Sequence, residues 1–172
     1  KIRKIRESIP DWMDELGEKE LGKVWDKEIA ALNEQAPVIL RANSLKTDTR
    51  KLKSLLLDEN IVVQPVKGYD DALQLVERQN VFTTKAFKDG LFEVQDANSQ
   101  LVASFLDVEN GMRVIDTCAG AGGKSLHLAA LMENKGQIIA LDIYANKLKE
   151  LKRRARRAGA HNIEARHIDS TK

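Results

Sequence analysis

The sequence predicts an α/β protein in three parts: a helical extension over residues 1–36, a small α+β domain over 37–90, and, over 91–172, the opening part of a doubly wound parallel sheet. Three observations predict it. Apolar residues recur at spacings of three and four through the first 35 residues. Between Pro37 and Gly90, short apolar runs and turn residues surround a single helical pattern. From Gly111 the chain alternates strand-like and helix-like segments, the rhythm of parallel strands joined by crossing helices.

In the extension, Ile2, Ile5, Ile9, Trp12, Met13 and Leu16 mark an apolar stripe, and Pro10 starts a second helix after Ser8 and Ile9. Trp12 and Trp25 occupy helical apolar positions and are expected in the core. The pattern opens in mid-stride, as expected of a segment preceded by more chain. In the α+β domain, 38–42 reads as a strand and 48–60 as a helix with Leu52, Leu55 and Leu56 inward and Thr47 as cap. Strands follow at 61–66 and 72–76, around a turn at 67–71. Residues 91–94 lead into a helix over 96–106, capped by Asp96, with Leu101, Val102 and Phe105 expected inward. The last part should hold strands at 112–115, 137–141 and 162–168 and helices at 125–132 and 145–158, closed by Gly136 and Gly159.

Composition removes several function classes. The longest apolar run, Leu128–Met132, has five residues, against about 20 for a membrane span and roughly 7 to 15 for a signal-peptide core. One cysteine excludes an internal disulfide and a cysteine-rich metal site, and fits a reducing, cytoplasmic compartment. His127, His161 and His167 show no metal-ligand spacing and read as solvent-facing or locally bonded, so no metal is expected. Lys and Arg number 28 against 26 Asp and Glu, a balance that leaves only the distribution of charge informative. Residues 147–157 hold seven basic residues and one acid. With Leu148, Leu151, Ala155 and Ala158 at helical spacing, they describe either a solvated face or a footprint for an anionic polymer, carried by Lys152, Arg153, Arg156 and Arg157.

The chemistry gathers at Asp116-Thr-Cys-Ala-Gly-Ala-Gly-Gly-Lys-Ser125, between an expected strand and an expected helix. Gly120, Gly122 and Gly123 permit a tight turn and close approach of a ligand to backbone, beside the positive end of a helix. Twenty residues after Gly122, Asp142 ends the next strand, where a carboxylate accepts ribose hydroxyls; Asp169 ends the third. Three nucleotide readings compete. A dinucleotide fingerprint would place its third glycine at 125 rather than 123. A phosphate-binding P-loop matches at Gly123, Lys124 and Ser125 but has Cys118 in place of its first glycine. The third reading is a fold that binds S-adenosylmethionine, with Lys124 either near the methionine carboxylate or in solvent. A non-catalytic RNA-binding module is the remaining alternative.

The loop, Ala140-Leu-Asp-Ile143, the basic helix ending in Arg157-Ala-Gly159, and Leu91-Phe-Glu-Val-Gln-Asp-Ala-Asn-Ser-Gln100 resemble the Sun/Fmu-type RNA (cytosine-5) methyltransferases. The resemblance runs from about Pro37 to the end. It implies a Rossmann-like methyltransferase sheet behind an RNA-binding-like domain, with S-adenosyl-L-methionine held by Cys118, Ala119, Gly120, Ala121, Gly122, Gly123, Lys124, Asp142 and Asp169. It implies methylation of cytosine carbon 5 in RNA, ribosomal RNA foremost. The family's nucleophilic and product-releasing cysteines match no residue here, since Cys118 falls in the cofactor loop. The chain is therefore expected to be the front half of an enzyme and inactive alone.

Overall fold

Around Trp25, three short helices fold on themselves: α1 (Arg3–Arg6), α2 (Asp11–Leu21, entered from Pro10) and α3 (Trp25–Leu32). The structure, a computed structural model, describes residues 2–169; this helical unit ends at Ala36 and a second unit follows. The Trp25 indole N–H donates to Asp14 at 2.9 Å. A Cβ on Gly17 would lie 2.2 Å from the Trp25 ring, so only glycine lets α2 approach it. Trp25 and Ile29 are buried, whereas Trp12 is 62% exposed, with Ile2, Ile5 and Leu16 also exposed. The expectation of a core Trp12 is corrected: helices this short share one inner face, and Trp25 fills it.

The second unit begins with an antiparallel sheet. Its elements are β1 (Ile39–Ala42), α4 (Thr49–Asp58), β2 (Val63–Pro65), β3 (Ala72–Leu75), α5 (Lys85–Lys88) and β4 (Phe92–Val94), with strand order β2-β3-β1-β4. This split βαβ arrangement leaves every neighbouring pair antiparallel. The α4 cap is Asp48, whose carboxylate accepts the Lys51 N–H at 2.8 Å, rather than Thr47. Along the strands, period-two alternation sorts two faces. Leu40, Ala42, Val63, Leu73, Leu75 and Phe92 pack with Leu52 and Leu56 of α4. The opposite face carries Arg41 and Glu93, directly paired across β1 and β4 and both buried.

Next come α6 (Ala97–Phe105), β5 (Arg113–Asp116), α7 (Gly123–Leu131), β6 (Gln137–Asp142), α8 (Ala145–Ala158) and β7 (Ile163–His167). The strands form a parallel sheet in the order β5-β6-β7. Ala103, Leu126, Ala129, Ile138, Ala155 and Ala158 join α6, α7 and α8 to β6 in one core. Asp96 caps α6 by accepting the Ser99 N–H, as expected. The helix's phase is not as expected: Gln100 and Ala103 are buried, and Phe105 is 91% exposed with Leu101 and Val102 also exposed. The anchor is polar. The Gln100 amide donates to the Gln95 carbonyl at 3.1 Å, which turns residues 100 and 103 toward α7.

His127 is likewise neither solvent-facing nor locally bonded. It is 3% exposed, and neither ring nitrogen has a hydrogen-bond partner. Burial, aided by the nearby Arg41 charge, pulls its pKa down to about 3. An unfolded chain takes a proton on this ring near 6.5, so acid favours unfolding; the stability is fully present above that pH and lost as pH falls toward 3. Asp71, raised by burial, acts in the opposite direction. We therefore expect His127→Leu to flatten the fall in urea midpoint between pH 7 and pH 4.5. Parallel pH curves for variant and wild type would exclude the assignment.

Candidate functional site

Parallel pairing brings the ends of β5, β6 and β7 to one rim, and with them Asp116, Asp142 and, two residues past β7, Asp169. Residues 117–122 cross this rim between β5 and α7. Gly120 and Gly122 have φ of 52° and 85°, left-handed values that glycine adopts without strain. At Gly122 a Cβ would meet Leu151 Cγ at 2.6 Å, so that glycine also sets how closely α8 packs. At Gly120 and Gly123, apart from adjoining backbone, nothing lies within 4 Å of a Cβ position. Backbone there is open to a ligand.

Asp142 organises the loop. One carboxylate oxygen accepts the Gly120 N–H at 2.7 Å, the other the Tyr144 N–H at 2.8 Å. These amides, Tyr144 first, hold its carboxyl below the usual carboxylate range. A carboxylate has about four acceptor positions, so capacity remains for hydroxyls. The Ala119 N–H donates to the Leu141 carbonyl at 2.9 Å, and Ser125 Oγ to Asp116 at 2.6 Å. Ser125 is fully buried, which removes the hydroxyl that a P-loop presents to a phosphate-bound metal. Cys118 and Lys124 are exposed. Asp169 is fully exposed and lies 3.3 Å from His167 Nδ1.

The basic helix divides. Leu148, Leu151, Ala155 and Ala158 are buried, as their spacing requires, and Lys152, Arg153 and Arg156 are exposed. Arg157 does not join them. It ion-pairs with Glu93 and lies over the Phe87 ring at 3.7 Å. Arg154 also turns inward, donating to Glu93 at 2.9 Å and to the Ala121 carbonyl at 2.9 Å. The expectation of an outward Arg157 is thus corrected: Glu93, 3% exposed, needs cationic partners.

Two sequence models match the chain: "Methyltr_RsmF/B-like, ferredoxin-like domain" over residues 9–82 and "16S rRNA methyltransferase RsmB/F" over 103–172. The chain belongs to the RsmB/F methyltransferase family. Among its relatives, a probable ribosomal RNA small subunit methyltransferase B of Bacillus subtilis is 38% identical over 77% of this chain and 30% of its own. The Synechocystis protein of the same description is 34% identical over 95% and 37%. The chain thus spans about a third of the length of these relatives. A crystal structure titled as a methyltransferase homolog protein from Pyrococcus horikoshii superposes with a TM-score of 0.85 at 27% identity, covering 98% of this chain and 55% of that one. The fold is therefore a ferredoxin-like domain followed by the start of the family's methyltransferase sheet.

Within this RsmB/F fold, β1 and the turn after it supply two buried polar residues that no sequence motif marks. Arg41 donates to the Gly123 carbonyl at 2.9 Å and to the Gln95 side chain. Asn43 donates to the Gly90 and Ala158 carbonyls, both at 2.8 Å. The available signal was a lone charge inside an apolar strand, as in Val38-Ile-Leu-Arg-Ala42 and Leu91-Phe-Glu-Val94. A hollow of about 570 Å³, lined by Phe82, Phe87, Glu93, Arg153, Arg154 and Arg157, meets the loop only at Ala121.

Proposed function

We propose that the complete protein transfers a methyl group from S-adenosylmethionine to carbon 5 of a cytosine in ribosomal RNA, in the cytoplasm, and that this chain supplies its cofactor-holding part. The observation that carries the reading is the glycine loop tied to Asp142, with open backbone at Gly120 and Gly123. In this reading residues 118–124 line the cofactor, Asp142 accepts ribose hydroxyls with its remaining lone pairs, Asp169 stands at the adenine side, and Lys124 faces the methionine carboxylate. When bound, the cofactor supplies an electrophilic methyl group. Addition to a pyrimidine also needs a thiolate at carbon 6. Cys118, on the cofactor loop, is not assigned that role, which falls to cysteines elsewhere in the complete protein.

The test is transfer of tritiated methyl from S-adenosylmethionine to unmodified ribosomal RNA by the complete protein, followed by nucleoside analysis. We expect label in 5-methylcytidine and none with this chain alone; label in another nucleoside overturns the assignment. Lys152, Arg153 and Arg156 are assigned to the RNA backbone. Each single-strand phosphate neutralised lowers log affinity by about 0.7 per log unit of salt, so reversing Arg153 and Arg156 together should reduce the slope by roughly 1.4. An unchanged slope returns the helix to a solvated face.

A further inference from the structure

We propose that Arg41 and Arg154 hold the glycine loop in its binding shape, so that the antiparallel sheet is part of the cofactor site and not only a surface for RNA. The proposal deepens the reading above and rests on it. The loop is gripped from two directions. On one side Asp142 takes the Gly120 amide. On the other, two guanidiniums take carbonyls: Arg154 that of Ala121 and Arg41 that of Gly123, each at 2.9 Å. These are alternate residues around Gly122, whose left-handed φ turns the chain between them.

Both guanidiniums are anchored on the antiparallel sheet. Arg41 stands in β1, and Glu93 of β4, directly across from it in register, binds Arg154. Gln95 accepts from Arg41 and donates to Ser99 at 3.3 Å, linking the same nitrogen to the first turn of α6. Gln95 thus ties β1 to α6, next to the Asp96 cap. An apolar cross-strand pair would join β1 to β4 at least as well as two buried charges. What an apolar pair cannot do is donate to the loop carbonyls. Burial depresses the Arg41 pKa to about 10, the expected consequence of holding a cation 2% exposed.

The experiment compares this chain with Arg41→Met, Arg41→Lys and Arg154→Met by amide hydrogen exchange without any ligand. In Arg41→Met and Arg154→Met, exchange over residues 118–125 should speed up by about tenfold, the scale of one lost charge-assisted bond, while 137–141 stay unchanged. Arg41→Lys should recover part of the loss, because both bonds leave a single nitrogen of Arg41. Wild-type exchange in the loop of either Met variant, or acceleration spread evenly across the second unit, overturns the proposal.

A second arm titrates S-adenosylmethionine and S-adenosylhomocysteine, whose sulfur carries no charge. Positioning predicts that both weaken by the same factor; weakening of only one points to direct charge interaction with the sulfonium and overturns it. If the wild-type chain binds neither compound, the proposed function fails, and the exchange arm still decides the role of Arg41 and Arg154.

Discussion

Replacing Asp142 by alanine is expected to weaken S-adenosylmethionine binding by about tenfold or more, the scale of losing a hydrogen bond to a charged acceptor. Two losses combine. The ribose hydroxyls lose their carboxylate, and the Gly120 and Tyr144 amides lose the oxygens they meet at 2.7 and 2.8 Å. The loop then loses its register on the end of β6. Asp142→Asn keeps the side-chain shape but turns one acceptor into a donor facing an amide, so it should recover only part of the affinity. Calorimetry on the three proteins decides the matter. Equal affinity in wild type and Asp142→Ala would remove Asp142 from the site.

The second large effect concerns stability. Glu93→Ala should lower the unfolding free energy by about 3 to 5 kcal/mol, the usual range when one partner of a buried ion pair is removed. Glu93 is 3% exposed and accepts from both Arg154 and Arg157, so its loss leaves two largely covered guanidiniums without their acceptor. Glu93→Gln keeps one oxygen and should cost less. Urea unfolding with linear extrapolation reads the difference. A loss below about 1 kcal/mol in the alanine variant would mean that the two arginines find water instead, as surface pairs do.

Much of the architecture was legible because local rules govern it. The span of α8 and its closure at Gly159 follow from helical spacing and a left-handed glycine, and both appear as expected. The three parallel strands and the loop between β5 and α7 also follow from the alternation of apolar runs with glycine-rich turns. Caps are less certain from sequence: Thr47 and Asp48 are adjacent and chemically able, and only the backbone shows that Asp48 takes the Lys51 amide. The loop residues and Asp142 were equally readable, since a strand, a turn and an acid at the next strand end follow one another along the chain.

The order of elements and the candidate loop thus follow from patterns along the chain. Which way side chains of similar type face is settled by folding. Arg153 and Arg157 are alike in the sequence, yet one is exposed and the other pairs with Glu93, a residue 64 positions away. Phe105 and Ala103 both suit a helix interior, yet the Gln95–Gln100 bond turns the smaller inward. Trp12 and Trp25 share a pattern, but only Trp25 meets a glycine that leaves room for its ring. Arg41 reaches the loop across 82 positions of chain. Each of these outcomes depends on a partner brought close by folding, and periodicity along the chain records only a residue's neighbours in sequence.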